Sequence, residues 1–234
     1  MIHENAWTTY SKKDLKALEK LSKDYIDFLS EGKTERECVE LLVAMAEKAG
    51  YRDLNKVIAA GEKLEKGDKI YAVNMNKAVM MLNTGDDIIG KGMNILGAHI
   101  DSPRLDVKQN PLYESDELAY LNTHYYGGIK KYQWVTIPLA LHGVVCKPDG
   151  TTIKISIGEK EDEPVFFVSD LLIHLADEQM KKIAAKAVEG EDLDILVGSK
   201  PLEGEEKDAV KANLLNLLKD FYDIEEDDFW SAEL

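Results

Sequence analysis

The sequence predicts an α/β protein built in two units, on three observations. Residues 11–50 carry apolar side chains at three- and four-residue steps, the period of helices with one buried face. Residues 69–100 switch to short apolar runs of strand length, and two helices followed by such strands make an α/β sandwich. Beyond about Arg104 the texture changes again, to alternating strands, an acidic loop and a terminal helix. The units are therefore drawn as 1–103 and 104–234.

Ser11 opens the first helix, Leu15, Leu18, Leu21, Tyr25, Phe28 and Leu29 form its apolar face, and Gly32 stops it. Thr34 and Glu37 have the spacing of a capping box, which starts a second helix with Cys38, Leu41, Leu42 and Met45 as its buried stripe and Gly50 as its end. Lys69–Asn74 and Ala78–Asn83 read as strands joined by a tight polar link. Met93–Ile100 is nearly all apolar, as a central strand buried on both faces would be. In the second unit, Val135–Cys146, a Lys147-Pro148-Asp149-Gly150 turn and Thr151–Gly158 predict a hairpin, with Ile153, Ile155 and Ile157 on its apolar side. Asp170–Val188 carries Leu172, Leu175, Ala176, Met180, Ile183 and Ala187 at helical spacing. Glu189–Asp208 reads as an acidic loop, and Val210–Tyr222 as a last helix with Leu214, Leu217, Leu218 and Phe221 on one side. Phe229–Leu234 starts like a strand, so the chain is expected to be cut there rather than finished.

The charge balance removes whole classes of function. The 234 residues hold 29 Lys plus Arg against 44 Asp plus Glu, a net charge of −15. Such a surface repels nucleic-acid phosphates and the anionic inner leaflet of a membrane. Apolar residues at 44% and charged residues at 31% suit a globular protein, while 16 Gly, 6 Pro and 2 Cys rule out collagenous and disulfide-scaffold classes. The first 13 residues have no apolar core of a secretory signal, and Cys38 and Cys146 belong to no C-x-x-C pair. A cytoplasmic protein with reduced, buried thiols is the expectation.

The stretch Gly97-Ala98-His99-Ile100-Asp101-Ser102-Pro103 carries the chemistry. Imidazole nitrogen is a good zinc ligand, and a carboxylate two residues on can orient the ring. Pro103 ends the run, which places the pair at a sheet edge, where open α/β sheets put their sites. On spacing alone, a core histidine satisfied by its neighbouring aspartate is the simpler reading of the same residues. His3 is terminal, His142 lies in an apolar run, and His124 lies in the second unit, so none completes a ligand set. His174, on a helix from Asp170, would share its face with Asp170, Asp177 and Glu178, the ordinary place of a surface histidine. Tyr125-Tyr126-Gly127-Gly128 reads as a turn, Gly90-Lys91-Gly92 is too short for a phosphate loop, and Glu225–Asp228 reads as a solvated acidic loop.

The segment from Gly97 to Asp106 resembles the His-x-Asp segment of the aspartyl aminopeptidase (aminopeptidase I) family of zinc metallopeptidases. His124-Tyr125-Tyr126-Gly127-Gly128-Ile129-Lys130-Lys131-Tyr132-Gln133-Trp134 is similar to that family's next segment in its bacterial, clostridial-like form, as are Thr34–Cys38 and Ser231–Leu234. The resemblance implies a two-zinc exopeptidase, with a metallopeptidase α/β sandwich interrupted by an inserted β-rich dimerisation domain. Carried onto this chain, His99 would ligate one zinc and Asp101 would hold the His99 ring without touching metal. The Leu171–Leu175 context resembles a family segment whose histidine enters the partner subunit's active site, which gives His174 a second reading as a trans contribution. The family's general base, bridging aspartate and remaining ligands would follow Leu234. The expectation is thus the N-terminal portion of a cytoplasmic zinc aminopeptidase that acts on peptides, with acidic N-terminal residues as possible substrates, and self-associates as a dimer or higher homo-oligomer. The competing reading is a catalytically inactive dimerisation or assembly module.

Overall fold

A computed structural model describes residues 4–234, the side chains of residues 88 and 89 apart. It is a mixed α/β structure with three sheets, divided into two compact units at Ser102/Pro103.

The first unit holds α1 (Ala6–Thr9), α2 (Lys12–Glu31), α3 (Glu35–Lys48), β1 (Arg52–Asp53), α4 (Leu54–Ala59), β2 (Lys69–Asn74), β3 (Ala78–Asn83) and α5 (Ile88–Lys91). Both long helices start on the residues their sequence marks. Ser11 and Asp14 cap α2 reciprocally, and Thr34 and Glu37 do the same for α3. Gly32 ends α2, and a Cβ there would press on Cys38 Sγ at 3.0 Å, so the corner between the two helices has no room for one. At the far end of α3, Gly50 at φ +85° lets its N–H reach the Glu47 carbonyl and that of Tyr51 the Ala46 carbonyl, a Schellman ending. The sheet runs β1-β2-β3, with β1 parallel to β2 and β3 antiparallel to it. Cys38, Val39 and Ala46 of α3, Val57 of α4, and Ile70 and Tyr71 of β2 are its buried apolar residues. Tyr71 Oη donates to Glu47 Oε1 at 2.7 Å, which ties sheet to helix and holds the phenol pKa up at about 12.

Two expectations for this unit fail. Met45 is exposed, and Leu21, Tyr25 and Leu29 of α2 are half or more exposed, because α3 is the element packed against α2 here and covers one end of its stripe. Met93–Ile100 is no strand: Ile95 and Leu96 are 79% and 99% exposed in unpaired chain. An apolar run becomes a strand only where neighbours complete its main-chain hydrogen bonds. None of the described strands pairs with it.

The second unit holds β4 (Arg104–Ser115), β5 (Leu118–Tyr126), β6 (Leu141–Cys146), β7 (Thr152–Ile157), β8 (Phe167–Val168), α6 (Asp177–Met180), α7 (Ala184–Ala187), β9 (Ile195–Gly198), α8 (Ala209–Tyr222) and β10 (Ala232–Glu233). One sheet runs β4-β5-β9-β8 and the other β10-β6-β7. The β6–β7 hairpin closes on Lys147–Gly150, where Gly150 at φ +87° donates to the Lys147 carbonyl and Asp149 accepts from the Thr151 N–H. The predicted Val135–Cys146 strand is shorter than expected. Only Leu141–Cys146 joins the hairpin, while Val135 and Leu139 make isolated bridges to Val168 and Phe166. Leu112, Ala119, Leu121, Phe166, Val168, Leu193, Ile195, Val210 and Phe229 are among the core residues, and Val145, Ile155 and Ile224 form a second cluster. Leu141, Ile157, Leu218, Ala232 and Leu234 pack against both clusters.

Asp170–Val188 is not one helix. It breaks into a 3-10 turn at Ile173–Leu175 and the single turns α6 and α7. Leu172, Ile173, Leu175, Met180 and Ile183 are each about 70% exposed, and a helix without a packed face has little to hold it. Helix α8 forms as expected, with Leu214 and Leu218 against the core, but Leu217 and Phe221 face outward. Glu189–Asp208 is not all loop, since β9 inside it is an interior strand between β5 and β8. Among the described residues no helix is long and apolar enough to cross a membrane.

Candidate metal-ligand segment

His99 and Asp101 stand where the sequence sets them, two residues apart, but on an exposed loop rather than at the end of a buried strand. The His99 side chain is 82% exposed and that of Asp101 36%. His99 Nδ1 lies 3.1 Å from Asp101 Oδ1 and 3.0 Å from the Asp101 carbonyl oxygen. Both partners are acceptors, so the contact requires the ring proton on Nδ1. In the neutral ring that leaves the Nε2 lone pair outward, the tautomer and orientation a metal ligand needs.

Pro103 and Arg104 follow and enter the second unit. Arg104 Nε donates to Asp106 Oδ1 at 2.6 Å, and its guanidinium lies 4.2 Å from the centre of the Tyr126 ring. Register pairs Arg104 with Tyr126 and Asp106 with His124 across β4 and β5. Gly127, at φ +79°, turns the chain out of β5 with Pro103 against its Cα, so the paired glycines do mark a turn.

The other histidines are dispersed. His124 stacks on Tyr125 with ring centres 5.2 Å apart. His142 Nε2 lies 2.9 Å from Glu159 Oε1 and is largely covered, a hydrogen bond that fastens β6 to the chain after β7. His174 sits exposed in the Ile173–Leu175 turn, so the helical face shared with Asp170, Asp177 and Glu178 does not exist. Its immediate neighbours are instead the exposed Leu172, Ile173 and Leu175. His3 lies outside the described residues. Of the acidic run, Glu225 pairs with Lys219, Glu226 with Lys211, and Asp228 accepts from the Glu225 N–H, so it is tied down rather than loose.

Zinc needs several such donors together. His99 fits as one ligand with its ring oriented by Asp101. Among the described residues no group of three or more His, Cys, Asp or Glu side chains could hold an ion. A catalytic zinc typically takes three protein ligands. The described residues thus fit a part of such a site and not the whole.

The model of the family described as aminopeptidase I zinc metalloprotease (M18) matches residues 28–234. A probable M18 family aminopeptidase 1 of Clostridium acetobutylicum is 56% identical over 99% of this chain and 50% of its own length. The crystal structure of an M18 family aminopeptidase from Thermotoga maritima superposes with a TM-score of 0.91 at 43% identity, over 100% of this chain and 50% of that one. That of aminopeptidase I from Clostridium acetobutylicum gives 0.87 at 52% identity, over 100% and 52%. The chain spans about half the length of the curated relatives it matches. With the family model covering residues 28–234 and a relative at 56% identity, this chain belongs to the M18 aminopeptidase I family of zinc metallopeptidases.

Proposed function

We propose that this chain forms part of a zinc-dependent aminopeptidase that removes N-terminal residues, acidic ones among them, from peptides in the cytoplasm. The observation that carries the proposal is the His99–Asp101 pair, in which Nδ1 is engaged and Nε2 is left outward. Zinc, when bound, polarises the peptide carbonyl and activates water, and the complete family site holds two ions. Asp101 fixes the tautomer and swing of the His99 ring. The 1–103 unit is the first part of the catalytic domain, and 104–234 is the inserted dimerisation domain with the start of the return.

Self-association follows from the exposed aliphatic run Leu171–Leu175 with Met180 and Ile183, since contiguous apolar surface of this kind is ordinarily buried by a partner. His174 lies inside that run, where docking of a second subunit would carry it into the partner's site. The 234-residue chain by itself hydrolyses no peptide, because His99 is one ligand of a set and the general base lies elsewhere in the longer family protein.

The test is an aminopeptidase assay with zinc, manganese or cobalt. The chain alone is compared with the chain co-produced with the C-terminal half of the Clostridium acetobutylicum relative. Chelator-sensitive hydrolysis is expected only in the combined preparation, and His99→Ala is expected to abolish it. Replacing His174 by Phe in that preparation should lower turnover ~100-fold with zinc content unchanged, the scale of losing one donor to a developing oxyanion. Hydrolysis by the chain alone, abolished by His99→Ala, would overturn the partial-site reading.

A further inference from the structure

We draw no further inference here: the strongest candidate, the apolar groove in the second unit between the outward residues Leu217 and Phe221 of α8 and the Ile155 and Ile157 face of the β6–β7 hairpin, is an open apolar surface, and nothing in the structure shows what covers it.

Discussion

Helix α8 begins on a residue that does not cap it. Asp208 stands at the N-cap with φ +49°, and its side chain makes no bond to the first turn. Those N–H groups are served from another strand: Glu114 of β4 accepts from the backbone N–H of Val210 and of Lys211, each at 2.9 Å. One carboxylate thus does three jobs, satisfying two orphan donors, placing negative charge at the positive end of the helix, and fastening α8 to β4. Losing an ordinary N-cap costs ~1 kcal/mol, and a bond to a charged group is worth ~1.5–3 kcal/mol. Glu114 is half-buried, and its removal strands both donors beside the core residue Val210. Glu114→Ala should therefore destabilise the second unit by ~2–3 kcal/mol, some 30- to 150-fold in the unfolding equilibrium at ~1.4 kcal/mol per tenfold. Glu114→Gln keeps an acceptor but loses the charge and should cost ~1 kcal/mol. Urea denaturation followed by near-ultraviolet circular dichroism gives the energies, and amide exchange at Val210 and Lys211 locates them. A change below ~0.5 kcal/mol for Glu114→Ala, the range of an indifferent surface substitution, would refute the reasoning.

Thr136 is a β-branched residue held at φ +61°, exposed, with its N–H donated to the Val168 carbonyl; Thr136→Gly keeps that bond, relieves ~1–2 kcal/mol of left-handed strain against ~0.5–1 kcal/mol of added chain entropy, and should raise the midpoint of urea unfolding slightly. Gly143, at φ +151°, lies under the β10 crossing, where a Cβ would overlap the Glu233 carbonyl oxygen. Gly143→Ala should cost ~2–3 kcal/mol and release β10 from β6, seen as lost amide protection at Ala232 and Glu233. Glu163 is held down at about 2 by the Lys160 ammonium and then by the backbone N–H groups of Gly158, Lys160 and Glu159. Its folded pKa lies below the ordinary 4.5, so its contribution is complete above that value and is lost as pH falls toward 2. Glu163→Gln should flatten the stability profile across that window, and an unchanged profile would count against the assignment.

What could be read from the sequence is what short-range chemistry decides. Thr34 and Glu37 satisfy each other within one turn, so the start of α3 needs nothing from the rest of the chain. The β2–β3 hairpin likewise turns on adjacent residues, Met75 and Asn76, both in the left-handed region. His99 and Asp101 bond across two residues, which is why that contact was legible. The long β4–β5 hairpin was not. Lys108, Gln109, Asn110 and Pro111 interrupt its alternation, because the ladder slips register between Val107 and Leu112 and the bulge takes in a proline that a regular central position would refuse. Its turn, Asp116-Glu117, reaches positive φ at both residues without the glycine that ordinarily signals it.

The opposite error, predicting elements that are absent, has one cause at both places where it occurs. Met93–Ile100 and Asp170–Val188 have the composition and spacing of buried elements, and the structure leaves Leu96 and Leu172 in the open. Periodicity records that a face is apolar; it carries no information about the surface that would cover it. A strand or helix exists through its neighbours, and a run's own spacing does not name them. The same limit governs the site. A metal ligand and the carboxylate that orients it can sit in one tripeptide, but three ligands and a base converge only through tertiary structure. One histidine held by one carboxylate is all that the 97–103 segment specifies by itself.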